Sequence, residues 1–177
     1  RMERKFKAPI KMVLKKSQVP TFLEEFGNDL LEGPHLVDAE VKGLTIFKQI
    51  DRIEITPEAL ERDWFWLSVI YGFGNSSVSL IEILRAREEG QRYIGTGEGW
   101  LDCKSPDLDA LGSIPDRSKE EKLSKRKGAI KLSRMDFFRL TATRMKLVGI
   151  TGDGERVDLL KKMLELRPMK SLPELNG

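Results

Sequence analysis

The chain has 177 residues, of which 40% are hydrophobic and 33% are charged. Its single cysteine, Cys103, excludes an intrachain disulfide and argues against an oxidised, secreted scaffold. No apolar run approaches the ~20 residues that a transmembrane helix needs. We therefore expect one globular domain that works in a reducing compartment.

The charges are segregated along the chain, although the net charge is only +3. Residues 1–16 carry a net charge of +6, residues 17–116 carry −11, and residues 117–146 carry +8. Solvated faces would explain any one of these blocks. Two basic blocks around an acidic middle favour anionic partners and charge-complementary contacts between copies of the chain.

Residues 1–35 are predicted to form a basic arm and a short docking helix. In the arm, basic and apolar side chains are mixed, and Pro9 and Pro20 argue against one long helix. Such a mixture suits an anionic membrane surface, where each cation contributes about 1 kcal/mol, whereas a tail without a role is the alternative. The predicted membrane-binding residues are Arg4, Lys5, Phe6, Lys7, Lys11, Lys15 and Lys16.

The docking helix is predicted over residues 21–35. Thr21 can cap it, Gly33 and Pro34 end it, and its aromatic residues recur at helical spacing. This apolar face could bind its own domain or a neighbouring copy. The predicted self-association residues are Phe6, Ile10, Met12, Phe22 and Phe26.

A single globular domain is predicted over residues 36–167, followed by a loose tail over 168–177. We expect a strand over Val41–Ile55, then a helix that starts at Thr56 and Pro57. Helical spacing places Trp64 in the core, on a stripe completed by Leu60, Leu67 and Tyr71. A glycine break follows, then a second helix over 76–89 capped by Asn75 or Ser76.

The second half of the domain is predicted to be rich in strands. Residues 91–105 favour a strand or hairpin, in which alternating glycines indicate close backbone approach rather than a dinucleotide fingerprint. A long polar loop over 105–128 leads to two strands over 128–151 with basic side chains on an open face, and then to a helix over 155–167. The predicted phosphate- or ribonucleoprotein-binding residues are Lys119, Lys122, Lys125, Arg126, Lys127 and Lys131.

No set of residues predicts catalysis. His35 is the only histidine, so neither a Ser/His/Asp triad nor a histidine-based zinc site can be assembled. The spacing of Asp107 and Asp109 is too common to predict a metal site. We expect a non-enzyme that needs no cofactor and no metal.

The order of these elements, together with two short strings, resembles the matrix proteins of rhabdoviruses. The strings are Glu98-Gly99-Trp100-Leu101 and, after the loop, Lys127-Gly128-Ala129-Ile130-Lys131-Leu132. The resemblance covers roughly residues 36–167. It implies an α+β fold in which an antiparallel β-sheet packs against two or three helices, with a flexible basic N-terminal arm and a long polar loop.

The resemblance also implies a function. Matrix proteins self-associate, bind the inner face of a membrane and condense the ribonucleoprotein during virion assembly and budding. The implied partners are further copies in an open-ended homo-oligomer, an anionic membrane surface, the viral ribonucleoprotein or nucleocapsid, and the cytoplasmic tail of a viral glycoprotein. The implied locations are the virion, the host cytoplasm and the inner face of host membranes.

One departure from the family concerns budding. The Pro-Pro-x-Tyr motif of many animal-virus members is missing, because Ala8-Pro9-Ile10 does not match it. This difference suits the plant-infecting, cytorhabdovirus-like branch. The alternative to a matrix protein is a non-enzymatic nucleic-acid-binding or regulatory domain that uses the basic C-terminal half.

Overall fold

A computed structural model describes residues 13–34, 36–113, 128–142 and 145–165 of the chain. The helices in this part are α1 (Val19–Glu32), α2 (Ala39–Lys42), α3 (Leu80–Glu88), α4 (Arg134–Ala142) and α5 (Gly154–Glu165). The strands are β1 (Thr45–Phe47), β2 (Arg52–Leu60), β3 (Trp64–Phe73), β4 (Ser76–Ser79), β5 (Tyr93–Gly95), β6 (Gly99–Asp102), β7 (Ile130–Ser133) and β8 (Val148–Ile150).

The strands form two sheets. In the larger sheet, β3 is central and pairs antiparallel with β2, with β4 along one half and with β7 along the other half. The strand β8 extends this sheet by pairing parallel with β2. In the smaller sheet, β6 lies between β1, which is parallel to it, and β5, which is antiparallel. The α+β fold is confirmed, and each sheet is mixed rather than wholly antiparallel.

The prediction of a helix that starts at Thr56 and Pro57 is wrong. Thr56 and Pro57 lie within β2, whose pairing with β3 shifts register between Pro57 and Ala59. The apolar run that follows is β3, and a tight turn over residues 61–63 joins the two strands. Aromatic and β-branched side chains fit a pleated sheet better than a helix surface, which explains why this run prefers the strand.

Several neighbouring boundaries also differ from the prediction. The strand expected over Val41–Ile55 is divided among α2, β1 and the start of β2, and the second helix begins only at Leu80, after β4. Its cap is Ser79, whose hydroxyl accepts from the Glu82 amide at 3.3 Å while the Glu82 carboxylate accepts from the Ser79 amide at 2.9 Å. This reciprocal pair satisfies two amide groups at the helix start.

The remaining elements follow the prediction more closely. The helix predicted over residues 21–35 is present as α1, although it begins at Val19 and Thr21 is not its cap. The glycine-containing hairpin is confirmed as β5 and β6, and the final helix as α5. Between β7 and β8 the chain forms α4, so the strand pair expected over 128–151 is only partly correct. The predicted tail over 168–177 lies outside the described residues.

The hydrophobic core lies between the larger sheet and three helices. Alternate residues of β3 point into it, and the helices α3, α4 and α5 bury apolar side chains against them. No helix in the described ranges is long and apolar enough to cross a membrane. The fully buried members with the largest side chains are Phe65, Phe73, Phe137, Ile53, Ile55, Leu67, Leu80, Ile83, Leu101, Leu108, Leu132 and Leu160.

Candidate functional site

The larger sheet has an outer face, opposite the core. Along β3, core-facing residues alternate with Trp64, Trp66, Ser68 and Ile70, which are half-buried and do not belong to the core. The buried side chains of α3, α4 and α5 join the core on the other side of the sheet. Two tryptophans therefore lie on the sheet face opposite these helices.

Trp64, Trp66 and Lys131 form a cluster on this outer face, which we call the tryptophan–lysine cluster. The pairing of β3 with β7 places Lys131 directly opposite Trp66, and Ser133 opposite Trp64. The Lys131 Nζ atom lies 5.1 Å from the ring centroid of Trp64 and 5.7 Å from that of Trp66. These distances allow cation–π attraction to both indoles, so the ammonium group is held beside two flat aromatic surfaces.

Other charged groups surround the cluster. Arg134 follows β7 directly, and its guanidinium lies 5.7 Å from the Phe138 ring centroid, which makes a second cation–aromatic contact. Toward the other end of β3, Arg52 and Glu54 form an ion pair at 3.2 Å. The exposed turn over residues 61–63 adds two carboxylates and Arg62 next to Trp64 along the chain.

The structure revises the role expected for Trp64. Sequence spacing predicts a core residue on a helical stripe with Leu67 and Tyr71, whereas the strand places Trp64 on the face opposite those two residues. Lys131, predicted to bind phosphate, is the member of that set that lies among the described residues. Lys119, Lys122, Lys125, Arg126 and Lys127 lie outside them.

A second candidate surface is provided by α1. The carboxylate of Glu24 accepts a hydrogen bond from the Tyr93 hydroxyl at 2.6 Å and pairs with Lys48 at 3.0 Å and with Arg92 at 2.9 Å. These partners hold the pKa of Glu24 below its usual value, the Tyr93 hydrogen bond contributing most. Arg92 also binds the buried carboxylate of Asp102 at 3.1 Å, which fixes its position on the smaller sheet.

The apolar side chains of α1 stand apart from the core. Phe22 and Phe26 contact each other with their ring centroids 5.2 Å apart, and Phe26 is 47% exposed. None of the side chains described for α1 belongs to the core cluster. Lys15 and Lys16 are exposed immediately before this helix. The other predicted arm residues lie outside the described part of the chain, namely Arg4, Lys5, Phe6, Lys7, Ile10, Lys11 and Met12.

Two side chains that could take part in covalent or metal chemistry have structural roles, one through burial and the other through a hydrogen bond. Cys103 is 1% exposed, and burial raises the pKa of its thiol to about 11, so the reactive thiolate is disfavoured. The carboxylate of Asp107 accepts a hydrogen bond from the Ile50 amide at 2.8 Å. Within the described ranges no group of three His, Cys, Asp or Glu side chains could hold a metal ion. His35 lies outside these ranges.

Comparison of the chain with family models, with curated proteins and with solved structures gave no match. The resemblance to rhabdovirus matrix proteins therefore rests on the chain itself. The described residues of its two strings lie in or just before β6 and β7, but the aromatic helix assumed in the order of elements is the strand β3.

Proposed function

We propose that the protein is a non-enzymatic assembly protein of the rhabdovirus matrix type. In this role it self-associates, binds the inner face of a membrane and condenses the ribonucleoprotein during virion assembly and budding. The observation that carries the proposal is α1, an amphipathic helix outside the core that is anchored by polar groups and leaves Phe26 exposed. The virion, the host cytoplasm and the inner face of host membranes are the corresponding locations.

Membrane binding is supported by what surrounds α1. Lys15 and Lys16 are exposed at its start, and the sequence before them carries five more cations. Basic residues beside an exposed apolar side chain can bind anionic headgroups while the apolar group enters the interface. Such binding is peripheral and weakens with salt, because charges are screened beyond ~8 Å at physiological ionic strength.

Self-association is supported by the weak attachment of α1. The Glu24 ion pairs involve side chains that are 24–56% exposed, and pairs of this kind contribute about 0–1 kcal/mol each. Because none of the side chains described for α1 belongs to the core cluster, its exchange onto a neighbouring copy has a small energetic cost. Exchange between neighbours gives head-to-tail contacts that propagate instead of closing.

Liposome flotation and light scattering test both activities. The full chain should float with anionic liposomes and not with neutral ones, and it should form open-ended assemblies that grow as the salt concentration falls. Phe26→Ala should weaken both activities. Leu159→Ala is a matched control, because Leu159 is a 44% exposed apolar residue on another helix. Equal binding to neutral liposomes, or a salt-insensitive dimer, would contradict the proposal.

The second candidate is a nucleic-acid-binding or regulatory domain that uses the basic C-terminal half. The observation that favours it is the tryptophan–lysine cluster, which places a cation and two aromatic rings on one sheet face. Flotation separates the two functions. A chain that binds nucleic acid but neither anionic liposomes nor further copies of itself would support this second candidate.

A further inference from the structure

Three hydrogen-bond donors at the smaller sheet converge on one carboxylate from another part of the chain. The carboxylate belongs to Glu24 of α1. The Tyr93 hydroxyl lies 2.6 Å from it, the Arg92 guanidinium 2.9 Å and the Lys48 ammonium 3.0 Å. Lys48 directly follows β1, whereas Arg92 and Tyr93 lie at the start of β5. A phenol and two cations are donors that bind phosphate as well as carboxylate.

Two of these donors are also held in place by contacts that do not involve Glu24. The buried carboxylate of Asp102 accepts from the Arg92 Nε atom at 3.4 Å and from its Nη2 atom at 3.1 Å. The Arg92 guanidinium lies 4.9 Å from the ring centroid of Tyr93, a distance that allows cation–π attraction. Burial, followed by the hydrogen bond to Glu24, raises the pKa of Tyr93, so its hydroxyl stays protonated and remains a donor. The donors are therefore positioned by the smaller sheet itself.

We infer that Lys48, Arg92 and Tyr93 form a binding site for a phosphate monoester, which Glu24 fills while α1 is docked. We call these three residues the donor site. A phosphate on a small molecule or on a lipid headgroup would replace the Glu24 carboxylate and release the helix. The inference deepens the proposed function and rests on it, since binding to an anionic membrane becomes the event that frees α1 for contacts with neighbouring copies.

The attachment of Glu24 is weak enough for another anion to compete with it. The side chains of Lys48 and Arg92 are 56% and 41% exposed, and a solvated ion pair of this kind favours the docked helix by at most about fivefold. None of the side chains described for α1 belongs to the core cluster, so release of the helix leaves that cluster intact.

The donors suit a phosphate monoester better than they suit a carboxylate. Such a phosphate carries a charge of about −1.5 to −2 and has three acceptor oxygens, one for each donor, whereas a carboxylate has one charge and two oxygens. A phosphodiester, as in nucleic acid, carries a single charge and has less advantage over Glu24. The chemistry therefore favours a terminal phosphate, as in phosphatidic acid or in free phosphate.

The charges make the two occupants mutually exclusive. Asp102 is the carboxylate that opposes an anion here, but it binds Arg92 and also accepts from the Lys104 amide at 2.9 Å, so it is satisfied within the fold. With Glu24 present, two cations balance two carboxylates. Without it, one positive charge is in excess, so the site attracts an anion only after the carboxylate of α1 has left.

Hydrogen–deuterium exchange of the full chain tests the release of α1. Inorganic phosphate should speed exchange of the α1 amides by about twofold or more over chloride at the same ionic strength, because phosphate takes the donors from Glu24. Equal ionic strength removes the general screening of ion pairs as an explanation. Exchange in the central strand β3 should not change.

Vesicle binding by matched variants tests the identity of the site. Glu24→Gln removes the internal competitor and should bind vesicles of phosphatidylcholine with phosphatidic acid about 5- to 30-fold more tightly than the parent chain. Glu25→Gln is the matched control, because Glu25 is the next residue of the same helix and is exposed, and its effect should stay within about twofold. The double variants Glu24→Gln/Tyr93→Phe and Glu24→Gln/Lys48→Met should lose the gain, because each lacks one donor.

The two probes also distinguish the sources of the phosphate. Faster exchange in α1 with inorganic phosphate assigns the site to free phosphate as well as to lipid. A Glu24→Gln gain on phosphatidic acid vesicles without a response to inorganic phosphate assigns it to the lipid headgroup. Vesicles with phosphatidylglycerol at the same surface charge should bind less tightly, because their phosphate is a diester.

Three results would overturn the inference. The first is equal exchange in phosphate and chloride together with equal vesicle affinities of Glu24→Gln and Glu25→Gln. The second is a gain that survives in both double variants, and the third is equal binding to the two anionic lipids. Reduced light scattering by Glu24→Gln, without any gain in vesicle affinity, would assign the donor site to Glu24 of a neighbouring copy. The proposed function fails separately, if the parent floats with no anionic liposome, and exchange with inorganic phosphate still tests the site in that case.

Discussion

Gly99→Ala should be among the most damaging single substitutions in the chain. Gly99 begins β6 with φ at 152°, a conformation that side chains rarely adopt. It pairs with Thr45 of β1, and a Cβ atom at this position would overlap the Thr45 carbonyl oxygen and lie 2.9 Å from its carbonyl carbon and nitrogen. Because the obstacle is backbone, it cannot rotate away, and β1 must separate from β6.

The expected loss in the free energy of unfolding has two contributions. Strain at such a backbone conformation costs about 1–3 kcal/mol, and forcing extra volume into a closely packed site costs about 1–3 kcal/mol more. A loss of about 2–6 kcal/mol is a large share of the ~5–15 kcal/mol that stabilises most domains. In urea denaturation this loss lowers the urea concentration at the unfolding midpoint.

The control is Gly97→Ala, two residues earlier. Gly97 is exposed, and an added Cβ would meet nothing within 4 Å, so its free energy of unfolding should change by less than about 0.5 kcal/mol. Equal midpoints for the two variants would refute the steric argument. The result would also bear on the string Glu98-Gly99-Trp100-Leu101, because this glycine then has a structural reason to be present.

Three further predictions concern the core, the thiol and the α1 anchor. Phe65→Ala should lower the free energy of unfolding by about 3–5 kcal/mol, because Phe65 is 0% exposed. Trp64→Ala should lower it by less than about 2 kcal/mol. Equal losses for the two variants in urea denaturation would place Trp64 in the core. The thiol of Cys103, its pKa raised to about 11 by burial, should react with iodoacetamide at pH 8 only after unfolding, and rapid labelling of the native chain would contradict the burial. Because the pKa of Glu24 is lowered, chiefly by Tyr93, its ion pairs stabilise the attachment of α1 above the ordinary value of 4.5 and are lost as the pH falls through the lower folded pKa. Glu24→Gln should therefore speed amide exchange in α1 at neutral pH, and an unchanged rate would mean that other contacts hold the helix.

The segment from Trp64 to Tyr71 shows why periodicity alone was insufficient. Leu67 and Tyr71 recur with Trp64 at helical spacing, but the same residues also alternate in a strand. A half-buried strand is recognised when its outward residues are polar, and here the outward residues include Trp66 and Ile70. The remaining signal for a strand was composition, since aromatic and β-branched residues dominate the run.

The candidate site depended on a contact that no local pattern reveals. The sequence predicted that Lys131 binds phosphate and that basic side chains lie on an open strand face. The pairing of β7 with β3, which brings Lys131 beside Trp66, joins opposite halves of the chain. Local signals did predict α1 from its spacing and its end at Gly33-Pro34, although the helix begins at Val19 and Thr21 is not its cap.

The two candidate surfaces rest on different parts of the fold. The polar anchors of α1 lie at Lys48, after β1, and at Arg92 and Tyr93 at the start of β5, whereas the tryptophan–lysine cluster lies on the larger sheet. Exchange of α1 between copies would break these anchors without changing the pairing of β3 with β7. Variants of the two surfaces share no described partner, so their effects on the free energy of unfolding should add within about 0.5 kcal/mol. Substitutions in α1 and in the tryptophan–lysine cluster therefore test two separate surfaces of one copy, and a coupling larger than this would mean that the two surfaces are connected.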